Sequence, residues 1–212
     1  RTFIDMSCFW SVQGEVLTQW DCLDPVIRRH YDLQTSEKLE VAGALQVHHS
    51  SLLTPILHVT GLFGLLFPEQ GSNVRTTLIN EAAINAHGQP IVTWRRCLYF
   101  KQRDGTERMR RFDSVVRLLP RRGDLLVLET VALNQAVAMR LTAETDGALI
   151  YRSEGFYSVF GERLIPIPTP SRLYIREWAH PIDPDRFCMT FQMTVPLFGT
   201  IFGYEGEFKL VS

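Results

Sequence analysis

The sequence predicts a mainly β domain, α+β at most: a strongly curved antiparallel sheet or open β-barrel with one or two short N-terminal helices. Apolar and polar residues alternate with a period of two from Leu39 onward, which is typical of half-buried strands. No helical periodicity of useful length follows Phe67. The strand-like runs are short and spaced as in a β-sandwich or barrel.

Composition limits the domain organisation and excludes several classes of function. The 212 residues, 45% of them hydrophobic, suffice for one ordinary core, so we expect a single domain over residues 1–212. The net charge of -1 argues against nucleic-acid binding. The four cysteines lack CxxC spacing, which favours a reduced, cytoplasmic protein. We expect residues 1–5, ahead of Met6, to be vector-derived or the cut end of a longer chain.

The first elements follow from local signals. Asp24 and Pro25 are typical of an N-cap and a first helical residue, and they predict a short helix that ends at His30 or Tyr31. Because two arginines precede His30, we interpret it as part of a solvated basic helix end rather than as an anion site. A strand is predicted over residues 39–49.

Residues 51–67 are the most apolar segment of the chain. The segment is too short, and too interrupted by glycine, to cross a membrane, which requires about 20 apolar residues. We predict a helix that is either buried or a lid over an apolar cavity, and the lid alternative leaves peripheral contact with a membrane surface open. In both cases we expect the segment to border the principal cavity.

Arg96 is the outlier of the strand predicted over residues 90–101, because its neighbours on the same face are apolar. An unpaired buried charge is very costly, so this arginine must be paired or must meet an anionic ligand. We favour an internal salt bridge over a ligand carboxylate or phosphate. The candidate partners are Glu69, Asp113, Glu205 and Glu207.

A ligand held at Arg96 would also contact the residues around it. The aromatic side chains on the same face and the apolar segment over the cavity supply the remaining surface. The candidate ligand-binding residues are Arg96, Trp94, Phe100, Glu69, Asp113, Leu62 and Phe63.

Further strands account for most of the remaining chain. Residues 165–170 alternate isoleucine and threonine with proline, which predicts an extended edge or crossing segment. The other predicted strands cover residues 74–85, 108–116, 125–133, 137–144, 148–159 and 173–178.

The end of the chain predicts a hairpin of two strands. Pro196 ends the first strand, and the second places large rings and Tyr204 on one face, with Glu205 and Glu207 on the other. When two carboxyl groups are neighbours, the repulsion between their charges raises the pKa of one of them. That group can then act as an acid while the other acts as a base. A solvated strand face is the favoured interpretation; the alternative makes Tyr204, Glu205 and Glu207 catalytic.

The segments LLFPE, VTWRRCLYF and RRFD, together with residues 196–208, resemble the bacterial family DUF4166, a domain of unknown function. The resemblance runs from Leu23 to Lys209. In that family the domain occurs alone or behind an NAD(P)-binding dehydrogenase-like domain. The resemblance therefore implies a metabolic context and names such a domain as a candidate partner or fusion.

Three functions are compatible with these features. The first is a module that binds a hydrophobic or amphipathic small molecule, with Arg96 at an anionic head group. The second is an enzyme of the same fold for proton transfer, isomerisation or cyclisation, and the third is an accessory domain for a dehydrogenase-like partner. Since nucleotide, phosphate-loop, serine-hydrolase and HExxH motifs are absent, we predict no cofactor and no metal.

Overall fold

One antiparallel sheet of eleven strands dominates the structure, a computed structural model that describes residues 20–55, 57–58, 66–121 and 124–211. Strands hold 64% of the described residues. In chain order they are β1 (Lys38–His49), β2 (Gly71–Ile84), β3 (Pro90–Lys101), β4 (Glu107–Arg121), β5 (Asp124–Thr130), β6 (Gln135–Ala143), β7 (Leu149–Phe160), β8 (Arg163–Ile167), β9 (Arg172–Ala179), β10 (Arg186–Val195) and β11 (Gly199–Leu210).

Ten of these strands close into a barrel. Strands β1 to β6 are neighbours in sequence order, β6 pairs with β7, and β9, β10 and β11 lead back to β1. The predicted antiparallel class is confirmed, and the barrel is closed rather than open. Closure pairs both edges of the sheet and encloses an interior face.

Strand β7 has two different neighbours on one side. Its first part, as far as Arg152, pairs with β9, and its last part, from Phe156, pairs with β8. From Phe156 onward, β7 therefore pairs with β8 in place of β9, while it stays paired with β6. A small second core is composed of Leu126, Leu128, Ala136 and Ala138, with Tyr157, Val159 and Leu164 packed against it.

The main core lies inside the barrel. Alternate residues of each strand point inward and form it. On β3 the inner face is buried as predicted, with Val92, Trp94, Leu98 and Phe100 at most 4% exposed. Helix α1 (Pro25–Tyr31) packs into one end of the barrel, which we call the closed end. Its Tyr31 ring approaches Trp94 of β3 and Tyr151 of β7, with centroids 6.4 and 6.3 Å away.

The predicted cap of α1 is confirmed, but the prediction for His30 is wrong. The Asp24 carboxylate accepts a hydrogen bond from the Val26 backbone N–H over 3.0 Å, and Pro25 is the first helical residue. His30 is only 2% exposed, because the helix turns this face into the barrel rather than to solvent. The sequence around His30 correctly predicted the end of the helix. It could not show which face of the helix would pack against the rest of the protein.

The apolar segment 51–67 is described only at its ends. A 3-10 turn covers Ser51–Leu53, residues 54–55 and 57–58 are helical, and residues 56 and 59–65, with Leu62 and Phe63, lie outside the described residues. Leu57 is buried, and the ring of Phe67 packs against Phe100 and Phe202 at centroid distances of 5.5 and 5.4 Å. In the described part of the chain, every helix is too short or too polar to cross a membrane.

The seam between β1 and β11 requires two glycines. A Cβ atom at Gly206 would overlap the backbone oxygen of Ala44, and one at Gly43 would overlap that of Glu207. Both obstacles are backbone atoms, which cannot rotate away as a side chain can. These glycines therefore allow the close approach of β1 and β11, which are neighbours in the barrel wall.

We expect Gly206→Ala to lower the free energy of unfolding by about 2 kcal/mol, because the added methyl group forces the seam apart. Urea unfolding measures the difference. The matched control is Glu205→Ala, an exposed neighbour on the same strand, which should change stability by less than about 0.5 kcal/mol. Equal effects of the two substitutions would show that the seam tolerates a side chain.

Candidate functional site

The barrel encloses a cavity of about 230 Å³, and a second of about 60 Å³ adjoins it. Most of the lining is apolar. Leu66, near the end of the apolar segment, lines both spaces, so this segment borders the principal cavity as predicted. Two polar side chains, Arg96 and Tyr204, also line both.

Arg96 is paired inside the protein, but with none of the four predicted partners. One terminal nitrogen of its guanidinium donates to Glu129 Oε1 over 2.9 Å, and the other donates to Ser114 Oγ over 3.1 Å. The Ser114 hydroxyl in turn donates to Glu129 Oε1 over 2.7 Å. Glu129 lies on β5, two strands from Arg96, and the curvature of the barrel wall brings its carboxylate across β4.

The salt bridge keeps Arg96 charged, but it does not use all of the N–H groups of the guanidinium. Burial lowers the pKa of Arg96, but the negative charge and hydrogen bond of Glu129, together with the nearby phenols of Tyr204 and Tyr31, more than offset it, so the pKa is raised and the guanidinium stays charged. Its carbon also lies 4.8 Å from the Trp94 ring centre and 5.1 Å from that of Phe112. Its other N–H groups have no hydrogen-bond acceptor among the described residues.

Tyr204 supplies a neutral phenol to the cavity. Its ring stacks on Phe191, with centroids 4.6 Å apart and planes 8° from parallel. Burial raises the pKa of Tyr204 well above its ordinary value; Arg96 opposes this, while the carboxylates of Glu129 and Glu177 reinforce it. The hydroxyl therefore keeps its proton and remains a hydrogen-bond donor.

A second polar cluster lies towards the closed end. His30 Nδ1 is 3.3 Å from Glu177 Oε2, and both side chains are 2% exposed. The other ring nitrogen of His30 is 3.0 Å from Asn80 Nδ2. Glu177 lines the larger cavity, as does Tyr151 beside it. The pKa values of Tyr31 and Tyr151 are both raised. The main cause is burial, and the second is the negative charge of Glu177.

The three residues predicted as catalytic do not lie together. Tyr204 points into the barrel, whereas Glu205 and Glu207 are exposed on its outer face, as the alternation of β11 requires. The carboxylate of Glu207 is 3.6 Å from His180 Nε2 and 3.8 Å from Arg186 Nη1. The sheet thus separates these carboxylates from the cavity.

The predicted ligand contacts are likewise divided. Trp94 lines the larger cavity, and its indole Nε1 is buried without a hydrogen-bond partner among the residues that the structure describes. Phe100 belongs to the core next to Phe67. Glu69 accepts two hydrogen bonds from Arg110, of 2.8 and 2.6 Å, and Asp113 accepts one from Arg111 over 2.7 Å. Leu62 and Phe63 lie outside the described residues.

Two carboxylates do face the cavity, Glu129 and Glu177, and neither is among the site residues predicted from the sequence. Each is a charged residue at an inner position of a strand whose other inner residues are apolar, as Leu173 and Ile175 are on β9. This is the criterion that singled out Arg96, and it would have found both if applied to every strand. Within the described residues, no group of three or more His, Cys, Asp or Glu residues could hold a metal ion.

The pair of Arg96 and Glu129 predicts a double-mutant effect. Arg96→Met should destabilise the protein by about 3 to 5 kcal/mol, because it leaves the Glu129 carboxylate buried without its partner. Adding Glu129→Leu should restore most of that loss. Urea unfolding of both single variants and the double variant measures the coupling. Additive effects would contradict a direct interaction between the two side chains.

The buried phenols predict a loss of stability at high pH. Because the pKa of Tyr204 is raised in the folded protein, only the unfolded chain releases this proton once the pH exceeds about 10. The folded state then loses about 1.4 kcal/mol per pH unit for each such phenol. Tyr204→Phe should reduce this loss in urea unfolding compared between about pH 9 and about pH 11. If the free energy of unfolding of Tyr204→Phe fell with pH as steeply as that of the wild type, the loss could not be assigned to Tyr204.

Comparison with known proteins identifies the family. A family model described as "Domain of unknown function (DUF4166)" matches residues 23–208, nearly the whole chain. The search of curated proteins returned no match. The matched region contains α1 and strands β1 to β10 in full, and with them every described polar residue that lines the cavity. The chain therefore belongs to the DUF4166 family.

Proposed function

We propose that this domain binds a hydrophobic or amphipathic small molecule inside the barrel. The observation that carries the proposal is the cavity of about 230 Å³ inside the barrel, which has an apolar lining and a few polar side chains. Protein interiors are normally packed to the density of organic crystals, so a space of this size is uncommon as a packing defect. Apolar cavities with a few placed polar groups are typical of ligand sites.

The polar groups define the end of the ligand that they would meet. Glu129 already neutralises Arg96, so the cavity offers hydrogen-bond donors rather than a free positive charge. The Tyr204 hydroxyl and the remaining Arg96 N–H groups are such donors. A neutral oxygen, as in a carbonyl group, matches them better than the anionic head group expected from the sequence, because Glu129 and Glu177 would repel an anion.

The place where β7 changes its pairing partner from β9 to β8 supports an entry route for the ligand. Phe156 and Ile167 form the first pair of the β7–β8 ladder, and both line the larger cavity. Leu173, at the start of β9, lines it too. The cavity thus reaches the place where β8 and β9 separate, and a ligand would enter the barrel wall there.

A cavity-filling substitution tests the proposal. Ile175→Trp should weaken binding of the neutral fluorescent probe N-phenyl-1-naphthylamine at least about tenfold, because the indole occupies the space the probe needs; tenfold corresponds to about 1.4 kcal/mol. Fluorescence titration measures the dissociation constant. Thermal unfolding of the same variant checks that the barrel remains folded.

The matched control is Ile182→Trp, which adds the same side chain at a position that is 87% exposed. It should bind the probe as the wild type does. Equal affinity in both variants, or no binding to the wild type, would contradict binding in the cavity. Native mass spectrometry of protein purified from cells would then show whether a natural ligand accompanies the wild type and is absent from Ile175→Trp.

A further inference from the structure

Glu177, His30 and Asn80 form a buried polar cluster. Glu177 lies opposite Leu149 on one neighbouring strand and Met189 on the other, so its surroundings within the sheet are apolar. A buried ion pair is often no more stable than apolar residues of similar volume in the same place. A polar cluster kept at such a position, on the wall of a cavity, points to function.

Three separate elements fix the geometry of this cluster. His30 comes from α1, Asn80 from β2 and Glu177 from β9. Both ring nitrogens of His30 have polar neighbours, and its ring stacks on Phe187 with centroids 4.6 Å apart. The imidazole is therefore held in one orientation, with Nδ1 facing the carboxylate.

The contacts of His30 place it between a carboxylate and an amide. Nδ1 faces Glu177 Oε2, and Nε2 faces the side-chain amide of Asn80. In the Nδ1–H tautomer the imidazole donates to Glu177, and Nε2 accepts from the Asn80 amide. This contact holds one carboxylate oxygen of Glu177 against α1.

Hydrogen-bond donors line the same cavity as Glu177. Tyr204 and Arg96 are two of them, and Trp94 adds a buried indole N–H that has no partner among the described residues. Donors of this kind stabilise negative charge that develops on an oxygen atom. A base and such donors around one apolar space are the parts that proton transfer next to a carbonyl group requires.

We infer that Glu177, positioned by His30, is the general base of a proton-transfer site for an apolar substrate that carries a carbonyl group. This inference rests on the proposed binding function. Glu177 takes a proton from the carbon next to the carbonyl, the C–H electron pair forms a C=C bond, and the carbonyl oxygen becomes an enolate stabilised by Tyr204 and Arg96. In a β,γ-unsaturated carbonyl substrate this enolate is a dienolate: the proton returns to the γ carbon, the C=C bond moves into conjugation with the carbonyl group, and the net change is an isomerisation without a co-reactant.

A chromogenic probe tests the base directly. In 5-nitrobenzisoxazole a base removes the single proton of the five-membered ring, the electron pair forms a nitrile, and the N–O bond breaks to release a coloured phenolate. The wild type should catalyse this ring opening with saturation kinetics. Glu177→Gln keeps the shape but removes the base, so kcat should fall at least about 100-fold while binding of N-phenyl-1-naphthylamine is unchanged.

Controls separate this inference from the proposed function. Glu162→Gln, an exposed carboxylate in the β7–β8 turn, should react as the wild type does. If 5-nitrobenzisoxazole displaces the fluorescent probe but Glu177→Gln opens it as fast as the wild type, the base assignment is wrong and binding stands. If neither probe enters the wild-type cavity, the proposed function fails, and the inference fails with it.

Two further variants guard against a folding defect and test the role of His30. Glu177→Asp keeps the charge but withdraws the carboxylate by one methylene, so kcat should fall with unchanged probe binding; an unchanged kcat would overturn the assignment. His30→Gln should lower kcat about tenfold without changing KM, because it affects the orientation of Glu177 rather than binding. A change in KM alone would show that His30 only maintains the cavity.

Discussion

The pairing of β6 with β7 is the constraint on which the rest of the structure depends. Without it the ten barrel strands would form an open sheet with two unpaired edges and no enclosed space. With it the inner faces converge, and α1 covers one end of the interior. Closure therefore creates both the core and the cavity.

Closure also decides which polar groups meet. Arg96 and Glu129 lie on strands that are not hydrogen-bonded to each other, and His30 reaches Glu177 only because α1 inserts into the barrel end. Each pair is buried and each lines or adjoins the same apolar space. The interior thus combines a lining suited to an apolar molecule with charges whose burial is costly, a combination more typical of a functional site than of a core.

Local sequence signals predicted the elements well. The alternation on β3 identified the inner face that carries Trp94 and Arg96, and the pattern of β11 placed Tyr204 opposite Glu205 and Glu207. The same signals could not supply the partner of Arg96, because Glu129 is 33 residues away and meets it across the curved wall. They also misplaced His30, since a basic helix end gives no indication of what will pack over it.

The sequence by itself determined the antiparallel β class, the capped helix, the edge segment that became β8 and the DUF4166 family. Each of these depends on a repeat of two residues or on a short local motif, which a linear chain already contains. Tertiary structure alone decided the closed barrel, the cavity and the pairing of Arg96 with Glu129 and of His30 with Glu177. Those features depend on curvature and long-range register, and only the folded sheet defines them.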